Sequence, residues 1–485
     1  MIQFLLNQTL ITEEAIDPNM TVLNYLRQKQ RRCGTKEGCS TGDCGACTVT
    51  LGKVRQGKVR QGKMQYETVN SCLTLMSSLN GTQLLTVEDL REGDALHSVQ
   101  QAMVECHGSQ CGFCTPGFVM SLFTLQKNSA GWDRHQAELA LAGNLCRCTG
   151  YRPIMAAAEQ ACQTPHADRF SAQQQQIAQR LMALHSDAVQ EIALAGHRCL
   201  LPKTLDQLAT LYQAHPQATL LAGGTDLTLH ITQRYRPIPL LIALAQVSEL
   251  AECRRDGNRL TLGAGATLNA ITPFMQQHLP PFAAILQRFA SLQVRNQGTL
   301  GGNIANASPI GDCAPMLLAL DAVLLLQCGQ QQRTLPLADF FTGYRQTQLQ
   351  PGEFIRAVVM EDVTASPNFA AWKVSKRLED DISAVFAAFS LRMEDGVIAG
   401  ARVAFGGMAA VPARALACEA ALNGQPLTPQ TLSQACRALA EDFQPLSDFR
   451  ASADYRLQVA KNLLRRYFHQ LSGELQITEV SRYVS

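Results

Sequence analysis

Eight cysteines carry the chemistry that this chain advertises. They fall into two sets of four: Cys39, Cys44 and Cys47 with Cys72, then Cys111 and Cys114 with Cys146 and Cys148. The first set reads C-x4-C-x2-C followed by a distant cysteine, the spacing of a plant-type [2Fe–2S] cluster. Zinc hooks pair their cysteines as C-x2–4-C, and four-then-two departs from that. One cluster needs four thiolates, and each set supplies four. Two such clusters move electrons one at a time.

The first set lies in a glycine-rich loop, Gly38-Cys39-Ser40-Thr41-Gly42-Asp43-Cys44-Gly45-Ala46-Cys47. Small residues let the backbone wrap closely and aim N–H groups at sulfur, which helps set a cluster's potential. The second set is less diagnostic. Cys111-Gly112-Phe113-Cys114 fits a zinc hook or a redox C-x-x-C as well as a cluster. Cys146-Arg147-Cys148 spaces its thiols too closely for the usual zinc knuckle. The remaining cysteines (Cys33, Cys106, Cys162, Cys199, Cys253, Cys313, Cys328, Cys418, Cys436) are scattered and read as buried small hydrophobes.

Seventeen cysteines without a recognisable secretory segment argue against a disulfide framework and for a reducing, cytoplasmic setting. The formal charge of +2 gives no reason to expect a nucleic-acid partner. No stretch approaches the roughly 18–20 apolar residues of a membrane span. A length of 485 residues predicts several domains.

The elements that must position these thiols change character along the chain. Residues 1–78 alternate short strands (Gln3 to Leu6, Thr48 to Leu51, Tyr66 to Val69) with turns, and Val22 to Gln28 reads as a short helix. A basic tandem repeat, Lys53 to Gly57 and again Lys58 to Gly62, reads as a lengthened surface hairpin. Residues 79–162 turn helical, with segments near 97–107, 117–127, 138–141 and 153–162. Pro116 and the Thr149-Gly150-Tyr151-Arg152-Pro153 run place helix starts just after the second set. Helix N-termini suit an anionic thiolate site. Residues 163–190, with Thr164-Pro165-His166 and a glutamine run at 173–176, read as a mobile or surface-hugging linker.

From 191 onward the texture is α/β. Two glycine-rich stretches stand out: Leu220-Leu221-Ala222-Gly223-Gly224-Thr225-Asp226-Leu227, and Gly298-Thr299-Leu300-Gly301-Gly302-Asn303 running on to Asp312. Neither is G-x-G-x-x-G, which argues against a Rossmann site. Such turns still hold a pyrophosphate through backbone N–H groups. Strands near 370–375, 384–393 and 401–405 precede helices near 414–422 and 455–470.

Taken together, the motifs resemble the small subunits of bacterial xanthine dehydrogenases, within the molybdenum hydroxylase family. The resemblance runs from about residue 2 to 473. It rests on Gly34-Thr35-Lys36-Glu37-Gly38-Cys39, Gly42 to Cys47, Gln110-Cys111-Gly112-Phe113-Cys114-Thr115-Pro116-Gly117 and Gly143-Asn144-Leu145-Cys146-Arg147-Cys148-Thr149-Gly150-Tyr151. Leu221 to Asp226, Gly301 to Asn303, Ser308 to Asp312 and Glu379 to Ile382 extend it.

This resemblance implies an α+β multidomain chain. Its parts would be a β-grasp ferredoxin domain (1–78), a helical-bundle [2Fe–2S] domain (79–162), the linker (163–190), a two-part α/β FAD domain of the vanillyl-alcohol-oxidase type (191–368) and an α/β C-terminal domain (369–475). Leu220 to Leu227 and Thr299 to Asn303 would cradle the FAD pyrophosphate, with Asp312, Ile355 and Lys373 also touching FAD. Phe289 matches an aromatic that stacks on the flavin; without the resemblance, it reads instead as a core aromatic in an amphipathic helix. Tyr344 and Asp380 match positions where NAD docks. Leu378 departs from the pattern, standing where related enzymes often carry a basic residue. The family's molybdenum cofactor would lie on a large partner subunit, with two small and two large subunits assembled. Purine hydroxylation would then use no catalytic residue of this chain. Electrons from hypoxanthine or xanthine would cross both clusters to FAD and NAD+. Another molybdenum hydroxylase, acting on aldehydes or N-heterocycles, and a stand-alone ferredoxin–flavin reductase are the alternatives.

Overall fold

The computed structural model describes residues 1–54, 64–163, 168–361 and 368–473. Residues 55–62 of the tandem repeat, Thr164 to His166 of the expected linker, 362–367 and 474–475 lie outside the described residues. The chain forms two compact units: 1–249 with 290–298, and 250–289 with 299 onward. No helix among the described residues is long and apolar enough to cross a membrane.

In the first unit, Ile2–Leu6 turns back at Asn7, which takes φ 55°, and pairs antiparallel with Thr9–Glu13. Its other edge runs parallel to Gln83–Leu85, so the chain must cross the sheet between them. Thr48–Val54 pairs with Met64–Asn70 and completes a five-stranded sheet. Ile2, Phe4, Leu6, Val49, Leu51 and Val69 face one core at the alternating period of strands. The expected helix at 22–28 is present but changes type: Val22–Asn24, capped by the Thr21 side chain, runs directly into a π-helical segment at Tyr25–Lys29.

Four helices follow: Ser98–Glu105, Thr115–Asn128, Arg134–Leu141 and Arg152–Gln163. Pro116 opens the second, where its missing N–H costs nothing. That helix is buried from Gly117 to Thr124 and is the centre of the bundle. Ala137, Ile154, Ala157, Ala158 and Ala161 pack around its Phe118, Leu122 and Phe123.

The glutamine run does not form a loose connection. It opens the helix Gln174–Ala183, whose Ile177, Ala178 and Leu181 are buried in the same core as Phe170. Composition hid this helix, because three apolar residues at helical spacing suffice to anchor it. The unit ends in a mixed sheet ordered Gln190–Leu194, His197–Leu201, Leu240–Ala243, Thr219–Leu221.

The second unit holds an antiparallel sheet in the order Cys253–Asp256, Arg259–Gly263, Phe354–Glu361, Val323–Cys328, Gln331–Pro336. Helices Leu268–His278, Pro280–Gln287, Leu300–Ala305 and Cys313–Leu318 contribute to its core. A second sheet, Phe369–Val374, Val385–Glu394, Val397–Gly406 and Ala413–Arg414, shares a core with Leu416–Leu422, Pro429–Asp442 and Ala453–Leu471. The middle of these helices is absent from the sequence reading. The mixed helix-and-sheet, multidomain character expected from sequence is the one observed.

Candidate cofactor sites

All seventeen cysteines are free thiols. The loop carrying the first set enters the strand Thr48–Val54, and Cys72 follows Met64–Asn70, so one hairpin base gathers all four. Ser40, Gly42 and Gly45 take φ values of 55°, 84° and 69°. This left-handed backbone folds the loop over its own sulfurs. The N–H groups of Thr41 and Cys44 both point at Cys39 Sγ, each 3.4 Å away. Hydrogen bonding from Cys44, opposed by burial and helped by Thr41, lowers the Cys39 thiol to about 4, while the same pairing pushes Cys44 up. Cys47 Sγ lies 3.4 Å from Cys72 Sγ. Their shared hydrogen bond lowers Cys47 and raises Cys72, and both feel the charge of Cys39.

The second set pairs in the same manner. Cys114 sits at the start of Thr115–Asn128. Burial, then a hydrogen bond to Cys146, pushes its thiol up to about 12. Cys146 is lowered: burial raises it, but hydrogen bonds from Thr149, joined by those from Cys148 and Cys114, outweigh that. Cys148 is raised by a hydrogen bond with Cys111, and both are exposed. Among the described residues, no three His, Cys, Asp or Glu side chains converge on one point suited to a single metal ion. Each set is instead two thiol pairs within electrostatic reach of each other. That arrangement suits two irons with two thiolates apiece, and not one tetrahedral zinc.

The two loops are fastened together by a buried polar junction. Leu145 N–H donates to the Cys44 carbonyl at 3.0 Å, and Asn144 Nδ2 donates to the Gly45 carbonyl at 3.0 Å. Ser121 Oγ donates to Asn144 Oδ1 at 2.6 Å. Gln293 Nε2 lies 3.2 Å from Thr48 Oγ1 and 3.1 Å from Asn144 Oδ1. A Cβ at Gly117 would stand 2.2 Å from the Gly45 carbonyl oxygen, so only glycine permits this approach.

The expected flavin residues divide between the units. In the first, 220–227 spans the end of the strand Thr219–Leu221 and a turn at Gly224, φ 73°. A Cβ at Gly223 would meet the Gln297 carbonyl oxygen at 1.9 Å. In the second, Thr299 caps Leu300–Ala305, its hydroxyl accepting from Gly302 N at 3.1 Å. Gly302 is exposed, and a Cβ there would approach only Thr299 Oγ1, at 2.9 Å. Asn303 Oδ1 is buried with no hydrogen-bond partner. An orphaned acceptor in the first turns of this helix, beside an exposed glycine, fits a ligand that brings its own donors, as the hydroxyl groups of FAD do.

Lys373 Nζ donates to Asp312 Oδ2 at 2.6 Å, and Ser383 Oγ to Asp312 Oδ1 at 2.6 Å, all three buried. Ile355 is buried in its strand. Phe289 is partly buried against the unit's core, after the helix Pro280–Gln287. Tyr344 is 63% exposed in the turn after Phe341–Gly343. Asp380 adopts φ 47°, and its carbonyl accepts from Arg377. At Leu378 a cation arrives from elsewhere: the Arg288 guanidinium donates to the Leu378 carbonyl at 3.2 and 3.3 Å.

The sequence reading missed Thr48, Ser121, Gln293 and the roles of Asn144, Thr149 and Tyr151. Thr149-Gly150-Tyr151 reads as a helix opening, yet the helix begins at Arg152, and the triplet bonds back to Cys146. Only the closeness in sequence of two hydroxyl-bearing residues, Thr149 and Tyr151, to an expected ligand cysteine could have signalled this. Two open clefts of about 530 and 470 Å³ flank Trp132 and contain none of the expected cofactor residues.

Four family models match the chain in succession. They are a 2Fe-2S iron-sulfur cluster binding domain (4–77), a [2Fe-2S] binding domain (86–159), the FAD binding domain in molybdopterin dehydrogenase (193–360) and the CO dehydrogenase flavoprotein C-terminal domain (370–471). A xanthine dehydrogenase of Drosophila subobscura is 32% identical over 97% of this chain, which spans 39% of that protein's length. A carbon monoxide dehydrogenase structure from Hydrogenophaga pseudoflava, lacking the Mo-pyranopterin moiety of its molybdenum cofactor, matches with TM-score 0.52 and 30% identity, over 55% of this chain and 93% of the other. Quinoline 2-oxidoreductase from Pseudomonas putida 86 matches with TM-score 0.51 and 27% identity, over 56% and 94%. The chain belongs to the molybdenum hydroxylase family, of which it carries the two iron–sulfur domains and the FAD-binding electron-transfer part.

Proposed function

We propose that the chain is the electron-transfer subunit of an NAD-dependent xanthine dehydrogenase, working in the cytoplasm beside a molybdenum-binding large subunit. Electrons from hypoxanthine or xanthine hydroxylation on that partner would cross two [2Fe–2S] clusters to FAD and then NAD+, in an assembly of two small and two large subunits. The observation that carries this reading is the pair of four-thiol sets, each split two and two, preceding an FAD-binding domain in one chain. The xanthine dehydrogenase names among relatives aligned over nearly the whole chain point to the purine substrate.

When bound, the clusters carry single electrons, and the flavin accepts them singly and releases a pair as hydride. The residues we assign as iron ligands are Cys39 with Cys44, Cys47 with Cys72, Cys111 with Cys148, and Cys114 with Cys146. For FAD we assign 220–227 in the first unit, and Phe289, 299–303, Asp312, Ile355 and Lys373 in the second. Tyr344 and Asp380 would meet NAD. Asp312, held by Lys373 and Ser383, keeps a fixed orientation toward solvent-poor surroundings. Backbone N–H groups at Thr41 and Cys44 favour the thiolate at Cys39.

A second reading keeps the same electron path but gives it to a hydroxylase of another substrate. The solved structures that match, at 27–30% identity, include carbon monoxide dehydrogenase and quinoline 2-oxidoreductase. Affinity purification of the tagged chain from its native cells, with metal analysis and xanthine:NAD+ assay, tests both. A molybdenum-containing partner and urate formation support the proposal. A molybdenum partner active only on another substrate favours the second reading, and no molybdenum partner sinks both.

A further inference from the structure

The loop after Cys146 closes on itself through four hydrogen bonds. Cys146 N–H donates to the Tyr151 hydroxyl at 3.0 Å. Tyr151 N–H donates to Thr149 Oγ1 at 3.2 Å. Thr149 Oγ1 lies 3.2 Å from Cys146 Sγ, and Thr149 N–H donates to the same sulfur at 3.4 Å. The backbone bends to allow this: Gly150 takes φ 67°, and Tyr151, a bulky side chain, takes φ 68°. The Tyr151 ring is held edge-on by Phe118, centroids 6.4 Å apart. A tyrosine in the left-handed region is uncommon and persists only where its surroundings fix it.

The direction of the contact between Thr149 and Cys146 follows from chemistry. A metal-bound cysteine is a thiolate and has no proton to give. Thr149 Oγ1 already accepts from Tyr151 N–H, which leaves its own hydrogen free to point at sulfur. The hydroxyl is therefore the donor. Hydrogen bonds to cluster sulfurs are one of the protein's controls on reduction potential. An added electron leaves more negative charge on the sulfur, and a donor beside it makes that addition easier.

We infer that the Thr149 hydroxyl tunes the reduction potential of the second cluster, with Tyr151 as the positioning residue that orients it. This rests on the assignment of Cys146 as an iron ligand. Each electron accepted or released changes charge alone; no bond forms or breaks, and the hydroxyl proton stays on Thr149.

The test is an EPR-monitored redox titration of the assembled enzyme and its Thr149→Val, Thr149→Ala and Thr149→Ser variants, with iron content measured alongside. Valine and alanine should shift one of the two cluster midpoints to more negative potential and leave the other in place. Serine, which keeps the hydroxyl, should restore the midpoint. Unmoved midpoints in an iron-complete valine or alanine variant would overturn the inference. So would a serine variant that shifts as far as valine, since the methyl group would then be responsible. Loss of the second cluster from both valine and alanine variants overturns it as well, because the hydroxyl would then serve to hold iron. Unaltered protein that lacks iron would instead refute the ligand assignment itself.

Discussion

The carbonyl of Cys44 accepts a hydrogen bond from the N–H of Leu145 at 3.0 Å. Cys44 belongs to the first thiol set, and Leu145 immediately precedes Cys146 of the second. One hydrogen bond thus joins the two loops by their main chains. Asn144 beside it doubles the connection through the Gly45 carbonyl. The two sites are built as one object, and a change at the junction reaches both.

Asn144 is the residue to alter there. It is 2% exposed, and its amide bonds Gly45, Thr48, Ser121 and Gln293. Asn144→Leu would delete the four hydrogen bonds that the Asn144 side chain makes while its partners keep contacts with one another, a loss of about 0.5–1.5 kcal/mol per bond. The expected outcome is a fall in melting temperature together with slower electron passage between the clusters, read by stopped-flow reduction. An unchanged melting temperature would show that the junction contributes little.

Cysteine substitutions separate ligands from bystanders. Cys44→Ser and Cys114→Ser should each remove one cluster and roughly halve the iron, since each set must supply four thiolates. Cys253→Ser should remove none, because Cys253 lies on an edge strand against the core of the other unit. Iron and sulfide analysis with visible absorption reads the result. Full iron in Cys44→Ser would contradict the assignment.

The first thiol set was legible because its spacing is itself the signal, and the strands around it alternate at period two. The second set was legible as a set, while its pairing of Cys111 with Cys148 and Cys114 with Cys146 was not, because pairing depends on how two helix starts meet. Gln293 was invisible for a stronger reason. It lies well over a hundred residues from its partners, and nothing local marks a polar residue on a four-residue helix as 0% exposed. The helix Gln174–Ala183 was hidden by composition, and Pro429–Asp442 by a weakly apolar stretch with many alanines.

Lys373 and Asp312 form an ion pair in which each side chain is only 3% exposed. Breaking one half of such a pair strands the other charge in a poorly hydrated place, at a cost of about 3–5 kcal/mol. Lys373→Met should therefore lower the melting temperature of the flavin-free protein, and FAD content should fall with it. Lys373→Met with Asp312→Asn should recover much of the stability. If the double variant were no better than the single one, the pair would not be the source of the loss.

Two glycines distinguish folding from flavin binding. Gly223→Ala should damage the fold, because its Cβ would collide with the Gln297 carbonyl. Gly302→Leu should fold, because the position is exposed and meets only Thr299. It should nevertheless lose FAD, since a side chain there would occupy the open space over Gly302 that the proposed cofactor needs. Full flavin occupancy in Gly302→Leu would move the FAD site elsewhere.

Acid should loosen the first unit through Asp168. Its carboxylate bonds His97 Nε2 at 2.8 Å and also pairs with Lys127. Burial alone would raise its pKa, but the His97 and Lys127 hydrogen bonds outweigh burial and hold it well below the usual carboxylate range. A depressed folded-state value means the group stabilises the fold fully above its unfolded pKa of about 3.9. That contribution drains away as pH falls below this value toward the folded one. The side chain also caps Arg169–Ala172 through Ser171 N–H, so its protonation loosens Phe170 from the helical core. Melting temperature measured from pH 6 down to pH 3 should drop steeply at the acid end in the unaltered protein. Asp168→Asn should start lower at pH 6 and lose less on acidification, because it has no charge to lose. Parallel curves for the two proteins would show that other carboxylates govern the acid transition.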